Sequence, residues 1–598
     1  MGTRHVNFLG RTLIRPGARA AFQTTPGQGG ASPDLNTLVL IGPADNGWYA
    51  NDTSLDDSLR VMEFGSPEES KAVLTSGDLA DAIKNSFSPS KDNRFSSGPV
   101  LVRAINVNPN VSANASAAST ALGVTHTISA NIPGPKGNQI RFRVTSSGTV
   151  VQIGDSVGIQ TSSPFVSGDI QIQYTGNATK TLLTFDGIKL NVTLTGQTDS
   201  SKDLNALVKD YTTISNLVAF INSQVGYTAS VVSKPDLLTA SLDYVLPTDS
   251  MDIRNSYYLT SLFFQQRAYF KSQGLSSIIP ANVNKPIADM ANFTYLSGGL
   301  TGIAKPSDWI SAIDLVFNTE AAKGFYVNIC SHDDAVRAHF TDKVSSYNSP
   351  DNADKRFGGV GIDVSKTVDE RVSDIKSLDL EYITAGNSPV TLYAADDTTL
   401  KTYNGWMVAV LHNACKAAAN VRESITNKAL NIVNVPETYG KVEIDKYLDA
   451  GSLIVTRKAN KGPFKIEFAL TAYQKDDPIR NQTSTICTAL ALTKDIVEWA
   501  NSIFIGEVIT DPDTFDGTLN DADIRTAVTT RFKNVYVEQY GWLTKNIFTG
   551  DPAIDPNFLI QRDGNVVSFV MKNGKIVTPL DYMLFLIGLD VVRGSSNQ

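Results

Sequence analysis

The sequence STICTALALTKDIVEWANSIFIG, residues 484–506, carries apolar residues at spacings of three and four. This periodicity predicts a long helix with one broad buried side. Ser484 is placed to cap its amino end, and Gly506 is placed to end it in the left-handed conformation. Three charged residues fall on the remaining face, which we expect to be exposed: Lys494, Asp495 and Glu498.

Two short segments in front of this helix alternate between apolar and polar residues. They span 452–457 and 463–470, and Asn460-Lys461-Gly462 lies between them as a turn. Alternation at period two on both sides of a glycine-containing turn predicts a β-hairpin. The hairpin therefore leads directly into the long helix.

The order of elements resembles that of the contractile tail sheath proteins of bacteriophages and related injection machines. No single motif is specific, and the order of the motifs over most of the chain carries the resemblance. The matching segments are LVLIGPADNG (38–47), FGSP (64–67), IPGPKGN (132–138) followed by Arg141, SGGLTG (297–302), SITNK (424–428), a helix at 443–450, the strand at 452–457, ALTAY (469–473), Asp476-Asp477 and the long helix.

The fold class we expect is α/β and multidomain. Strands alternate with helices over 296–403, which predicts a largely parallel sheet. Alternating Ser-, Thr- and Val-rich runs predict a mostly β insertion, interrupted by a helix at 204–222, and a strand is expected at 534–539. The predicted division is an N-terminal arm (1–35), a core part (36–108), an inserted mostly β outer domain (109–295), a middle α/β domain (296–403), a C-terminal α+β sheath core (404–580) and a C-terminal arm (581–598).

Composition excludes several classes of protein. The 598 residues have a formal net charge of -8, so no basic excess is available for general nucleic-acid binding. The three cysteines lie in apolar surroundings, which is typical of buried thiols in a reducing compartment. The sequence shows no signal segment and no apolar run long enough to span a bilayer, so we expect neither secretion by signal peptide nor membrane insertion.

Candidate catalytic or ligand sites are weak. Gly358 to Gly361 lacks the spacing of a dinucleotide-binding loop, and no phosphate-binding loop is present. The other candidates each have a simpler structural interpretation as a strand end, a packed core or a charged turn: Cys330, His332, Asp333, Asp334 and His339 as a metal site, His412 with Cys415 as a base and nucleophile, and Asp476 with Asp477 as a carboxylate pair. We therefore name no catalytic, cofactor-binding or metal-binding residue.

The resemblance implies a structural subunit that polymerises helically around an inner tail tube and contracts to drive the tube through the host envelope. It implies the tube protein, baseplate and tail terminator proteins as partners, assembly in the host bacterial cytoplasm and a place in the virion tail. Both arms would link neighbouring copies by strand addition, through Val6, Phe8 and Leu13 and through Phe585, Ile587, Leu589 and Val591. Lys494, Asp495 and Glu498 are the candidates for contact with the tube.

Two alternatives stay open. One is the sheath of a phage-like bacteriocin or of a secretion system. The other is an α/β enzyme with accessory β domains, which would carry a ligand pocket at the carboxyl edge of its sheet near residues 328–332.

Overall fold

The computed structural model describes most of the chain. The described residues are 6–8, 11–13, 33–249, 251–278, 283–349, 352, 354–457, 462–477, 479–504, 521–545, 558–563, 566–571 and 575–578. Their α-helices are α1 Asp57–Arg60, α2 Pro67–Leu74, α3 Asp78–Ser86, α4 Ile214–Asn222, α5 Leu262–Ser272, α6 Pro306–Asn318, α7 Asp334–Tyr347, α8 Val368–Leu378, α9 Trp406–Ala418, α10 Lys441–Asp449, α11 Thr483–Ile503 and α12 Asp521–Arg531.

The strands are numbered in chain order. They are β1 Val6–Phe8, β2 Arg11–Leu13, β3 Thr37–Gly42, β4 Met62–Phe64, β5 Leu101–Asn106, β6 Asn114–Ala118, β7 Thr125–Ala130, β8 Arg141–Thr145, β9 Val150–Gly154, β10 Ile159–Thr161, β11 Ile170–Tyr174, β12 Lys180–Phe185, β13 Lys189–Thr195, β14 Leu204–Leu207, β15 Tyr227–Val231, β16 Met251–Asp252, β17 Tyr257–Leu259, β18 Leu275–Ile278, β19 Thr294–Tyr295, β20 Tyr326–Ile329, β21 Phe357–Gly361, β22 Ile383–Gly386, β23 Val390–Tyr393, β24 Leu400–Tyr403, β25 Ser452–Leu453, β26 Val455–Thr456, β27 Lys465–Ile466, β28 Phe558–Asp563 and β29 Val566–Met571.

A seven-stranded sheet in the order β25-β22-β21-β20-β3-β5-β4 forms the centre of the body. Its strands are parallel except β4, which pairs antiparallel to β5. Leu38 and Leu40 pack into one core with α3 and α9, while Val39 and Ile41 pack into another with α6, α7, α8 and α10. Helices on both faces explain why β3 is buried throughout. The expected α/β fold class is confirmed, and the sheet takes strands from three of the predicted segments.

The segment between β5 and α6 is mostly β, as expected. Its sheets have the orders β18-β7-β6, β10-β9-β8-β19, β15-β11-β17 and β14-β13-β12-β16. Two separate apolar clusters form their cores, one around Phe142 and Phe270 and one around Phe185 and Leu217. The boundaries predicted for this domain stay a prediction.

The helix expected at 204–222 is wrong in its first half. Residues 204–207 form β14, which pairs with β13, because Leu204 and Ala206 alternate inward. The helix α4 begins only at Ile214, where the Thr213 hydroxyl accepts a hydrogen bond from the Asn216 amide.

The long helix is confirmed, with corrected ends. It begins at Thr483, so Ser484 lies inside the helix rather than capping it, and Gly506 lies outside the described residues. The strands of the hairpin before it pair as β26 and β27, whereas Asn460 and Lys461 of the predicted turn lie outside the described residues.

The strand expected at 534–539 is wrong. Residues 532–539 form a π-helical segment that continues α12, and Val535, Tyr536 and Val537 are all buried. Three consecutive buried residues do not fit a strand with one solvent face.

The described residues include part of the predicted N-terminal arm. Strands β1 and β2 of the N-terminal arm pair antiparallel with each other. The predicted C-terminal arm, with Phe585, Ile587, Leu589 and Val591, lies outside the described residues. Within the part of the chain that the structure describes, no helix has the length and apolar character needed to cross a bilayer.

Candidate functional site

Three of the motifs that carry the family resemblance meet at the base of the inserted segment. The side chain of Asn138, from the first crossing into that segment, hydrogen-bonds both backbone groups of Gly299 on the return crossing, at 2.8 Å each. Asn46, from the turn after β3, accepts a hydrogen bond from the Lys136 amide at 3.1 Å. The entry, the return and the first core turn are therefore joined at one place.

We call this place the asparagine junction. Three further asparagines, Asn106, Asn108 and Asn110, belong to it. Asn106, at the end of β5, accepts from the Ala44 amide and donates to the Gly47 carbonyl. Asn108 and Asn110 both donate to the Ala44 carbonyl. Buried backbone N–H and C=O groups need hydrogen-bond partners. The asparagine side chains supply such partners to the turn after β3.

Two glycines of the matching motifs, Gly134 and Gly302, leave no room for a side chain at the asparagine junction. A Cβ on Gly134, whose φ is +126°, would lie 2.2 Å from the Asn46 Oδ1, and one on Gly302 would lie 2.2 Å from the Pro109 carbonyl oxygen. The sequence indicated these glycines as markers of entry and return. It gave no signal that the flanking asparagines connect the two crossings.

Lys494 and Asp495 of α11 form a second structural site, which we call the ion-pair clamp. Lys494 pairs with Asp354 from the loop after α7, and Asp495 pairs with Arg531 of α12 at 2.5 Å. The Tyr536 hydroxyl donates to the same Asp495 oxygen at 2.6 Å. Neighbouring residues on one helix thus bind two different parts of the chain.

The expectation that Lys494 and Asp495 lie on an exposed face is wrong. Their side chains are 1% and 3% exposed, because each charge is paired with an opposite charge from a distant segment. Glu498 does lie on the exposed side, with 46% of its side chain accessible, about 3.7 Å from the Lys494 ammonium. Contact of this helix with a tube stays a prediction.

Two groups of the ion-pair clamp, Asp354 and Tyr536, have shifted pKa values. Burial alone would raise the pKa of Asp354, but the Lys494 ammonium, with a hydrogen bond from the Tyr347 hydroxyl, holds that pKa below its usual value. Burial and the Asp495 carboxylate raise the pKa of Tyr536, so its hydroxyl remains a donor. Asp354 therefore accepts as a carboxylate, and Tyr536 donates as a hydroxyl, at neutral pH.

His412 belongs to a buried hydrogen-bond chain instead of a catalytic pair. Its Nδ1 lies 2.9 Å from Asn413 Oδ1, its Nε2 lies 3.1 Å from the hydroxyl of Thr483 at the start of α11, and Asn413 donates to Asn328 in the sheet. Burial lowers the pKa of His412 to about 3 and raises that of Cys415. Asn328, where the enzyme alternative expects a pocket, is fully buried.

The remaining candidates have structural roles. Asp333 caps α7, Asp334 pairs with Lys366, and His339 contacts Asp314, so the metal candidates point to separate partners. Among the described residues, no group of three or more His, Cys, Asp or Glu side chains could hold a metal ion.

The glycine run and the carboxylate pair also have packing or turn roles. Gly358 to Gly361 lie in strand β21 of the seven-stranded sheet, on which α9 packs closely. Asp477 accepts from the amides of Ile479 and Arg480 in a turn.

These features define a multidomain α/β protein whose polar sites connect distant segments. No protein-family model matches the sequence. The chain is 23% identical to a tail sheath protein of Bacillus phage SP01 over 84% of this chain and 86% of that protein. It is 25% identical to a putative tail sheath protein of Enterococcus phage phiEF24C over 84% and 87% of the two chains.

Two solved structures share the fold. A sheath tail protein from Desulfitobacterium hafniense aligns with a TM-score of 0.50 at 14% identity, over 94% of this chain and 99% of that one. A sheath tail protein from Listeria innocua aligns with a TM-score of 0.50 at 13% identity, over 90% and 93%. The chain is therefore similar in sequence to phage tail sheath proteins over most of its length, and it shares the fold of two sheath tail proteins.

Proposed function

We propose that this chain is the structural subunit of a contractile tail sheath, which polymerises helically around an inner tail tube and contracts to drive that tube through the host cell envelope. The observation that carries this proposal is the similarity to phage tail sheath proteins over 84% of the chain. Head-to-tail contacts that do not close into a ring generate such a helical array.

The arms are the proposed links between copies. Among the described residues, β1 and β2 pair only with each other, and an isolated two-stranded hairpin is marginal in water. Addition of this hairpin to a sheet of a neighbouring copy would satisfy its free edges. The proposed contact residues are Val6, Phe8 and Leu13 in the first arm and Phe585, Ile587, Leu589 and Val591 in the second.

Arm contacts repeated at every subunit would supply the affinity between neighbouring copies. If about six ladder bonds form in each arm at about 1 kcal/mol net, one arm contributes several kcal/mol. Each subunit carries two arms, so the polymer gains avidity without one large interface. The contraction energy is stored in assembly, which requires no nucleotide, cofactor or catalytic residue.

The remaining partners follow from this role. The inner surface would contact the tube protein, with Glu498 as the candidate that the structure leaves exposed, and the ends of the sheath would meet the baseplate and tail terminator proteins. The subunit would be made in the host bacterial cytoplasm and act in the virion tail. Both curated relatives come from phages, which favours a phage tail over a phage-like bacteriocin or a secretion system.

Electron microscopy of the purified chain tests this proposal. We would compare the intact chain with chains lacking residues 1–15, residues 582–598 or both, and confirm by circular dichroism that each trimmed chain is folded. The expected result is long hollow tubes from the intact chain and none from the folded chain without arms. Discrete particles from the intact chain would contradict the sheath proposal, and tubes from the doubly trimmed chain would contradict the arm mechanism alone.

A further inference from the structure

The outward face of the sheet β10-β9-β8-β19 carries two arginines and two aromatic rings. Arg141 and Arg143 alternate with the buried Phe142 on β8, so both lie on the same face. Tyr295 is the register partner of Arg141 on β19, and Phe293 precedes that strand. Tyr295 is exposed and the two arginines are half-buried.

The two guanidinium groups share one aromatic ring. The Arg141 Cζ lies 5.1 Å from the Phe293 ring centroid and the Arg143 Cζ lies 4.8 Å from it. Arg141 also donates to the Tyr295 hydroxyl at 2.9 Å, and Arg143 donates to the Gln152 Oε1 through two nitrogens at 3.0 and 2.6 Å. Both cations are therefore held in fixed orientations by neutral groups.

The hydrogen-bond partners recorded for the two arginines are neutral. Within the residues that the structure describes, no carboxylate forms an ion pair with Arg141 or Arg143. Gln152 occupies the place where a carboxylate would form the usual two-bond pair with arginine. Two like charges stacked on one ring leave positive potential that a bound anion would lower.

We infer that this arginine face binds carboxylates of a second copy of this chain. The inference rests on the proposed function, which places copies in contact. Residues 109–295 contain no glutamate, and their lysines and arginines slightly outnumber their aspartates. The excess of negative charge in the chain therefore lies outside this segment. The remainder of a neighbouring copy, which carries an excess of carboxylates, would complement the arginine face, and planar guanidinium groups suit recognition of carboxylates.

The test compares assembly of full-length variants at two salt concentrations. The variant Arg141→Gln/Arg143→Gln removes both charges, and the control Arg267→Gln/Lys271→Gln removes two exposed cations on α5 of the same segment. We would measure the critical concentration for tube formation by sedimentation and electron microscopy. Arg141→Lys/Arg143→Lys, which keeps the charges, controls for folding.

We expect the arginine variant to raise the critical concentration at least about tenfold at about 0.05 M salt and by less than about twofold at about 1 M salt, where the Debye length is about 3 Å. The lysine variant should lie between it and the unmodified chain, and the control should change nothing. An equal effect in the control, or no effect in the arginine variant, would overturn the inference.

A second measurement separates this inference from the proposed function. Below the critical concentration, fluorescence anisotropy with labelled poly-glutamate reports carboxylate binding by the unassembled chain. We expect at least about tenfold weaker binding in Arg141→Gln/Arg143→Gln. If the unmodified chain forms no tubes, the proposed function fails while this readout still decides whether the face binds carboxylates. Normal assembly of the variant with loss of poly-glutamate binding would assign the face to another anionic polymer and overturn the second copy as its partner.

Discussion

Removing the Asp495 carboxylate tests whether the ion-pair clamp holds residues 521–545 against α11. The Asp495 and Arg531 side chains are 3% and 5% exposed, and their charged atoms lie 2.5 Å apart. Asp495→Ala leaves the Arg531 guanidinium buried without its carboxylate and deprives the Tyr536 hydroxyl of its acceptor. Loss of one partner of a buried pair costs about 3–5 kcal/mol.

Two further variants make this prediction specific. Glu498→Ala truncates an acidic side chain one turn further along α11 that is 46% exposed, and its effect should stay within about 0.5 kcal/mol. Asp495→Ala/Arg531→Met removes both charges and refills part of the space with an apolar side chain. It should recover most of the stability lost in Asp495→Ala, because an apolar replacement of a buried pair is close to neutral.

Hydrogen exchange measured by mass spectrometry is the appropriate assay, since a multidomain chain has no single free energy of unfolding. A loss of about 3 kcal/mol corresponds to amide protection roughly 150-fold lower. We expect this loss in α12 and the π-helical segment that follows it, with the central sheet unchanged. A decrease below about tenfold in Asp495→Ala, or a double variant no better protected than the single one, would refute the reasoning.

Three other substitutions have defined outcomes. Asn138→Ala removes both hydrogen bonds to Gly299, and it should lower the stability of the base of the inserted segment by about 1–3 kcal/mol and increase proteolysis there. Burial raises the pKa of Asp243 to about 7 despite hydrogen bonds that favour its charged form, so the folded chain binds a proton that the unfolded chain releases between about pH 4 and 7. The stabilisation present below pH 4 is therefore lost as the pH rises through 7, and Asp243→Asn should flatten thermal unfolding curves measured across this range. Gly359→Ala would place a Cβ 2.0 Å from a side-chain amide nitrogen, and it should lower the stability measured by urea unfolding by about 1–3 kcal/mol. Gly158→Ala, which has open space around it, is the control and should be neutral. Equal effects of the two substitutions would contradict the packing argument.

The elements that bury one clear face are those the sequence predicts well. The long helix has a three-and-four apolar spacing that the structure confirms as α11, and the alternating strands and helices of 296–403 do form a parallel sheet. The segment 534–539 fails because its alternation of apolar and polar residues comes from a π-helical turn in which consecutive residues are buried. The spacing of apolar residues reflects which residues are buried. It predicts the wrong element where the buried residues do not lie on one face of a helix or strand.

Polar contacts between distant segments are the part that local patterns do not contain. Lys494 and Asp495 were expected on the surface because charged residues are rarely buried without partners. Their partners, Asp354 and Arg531, lie 140 and 36 residues away. Asn138 likewise meets Gly299 across 161 residues. The motif positions predicted which segments matter, and only the tertiary structure shows what joins them.

The asparagine junction and the ion-pair clamp have a common consequence for a polymer. Hydrogen bonds and ion pairs depend on the relative orientation of their partners, whereas apolar packing tolerates sliding and rotation. The two sites therefore hold the inserted segment and residues 521–545 in set orientations. Multivalent links fail when geometry prevents simultaneous engagement. If orientation is what the clamp supplies, Asp495→Ala/Arg531→Met should keep its stability and still form fewer or shorter tubes than the unmodified chain at equal concentration. Tubes of normal number and length from that variant would show that packing alone orients the C-terminal segment.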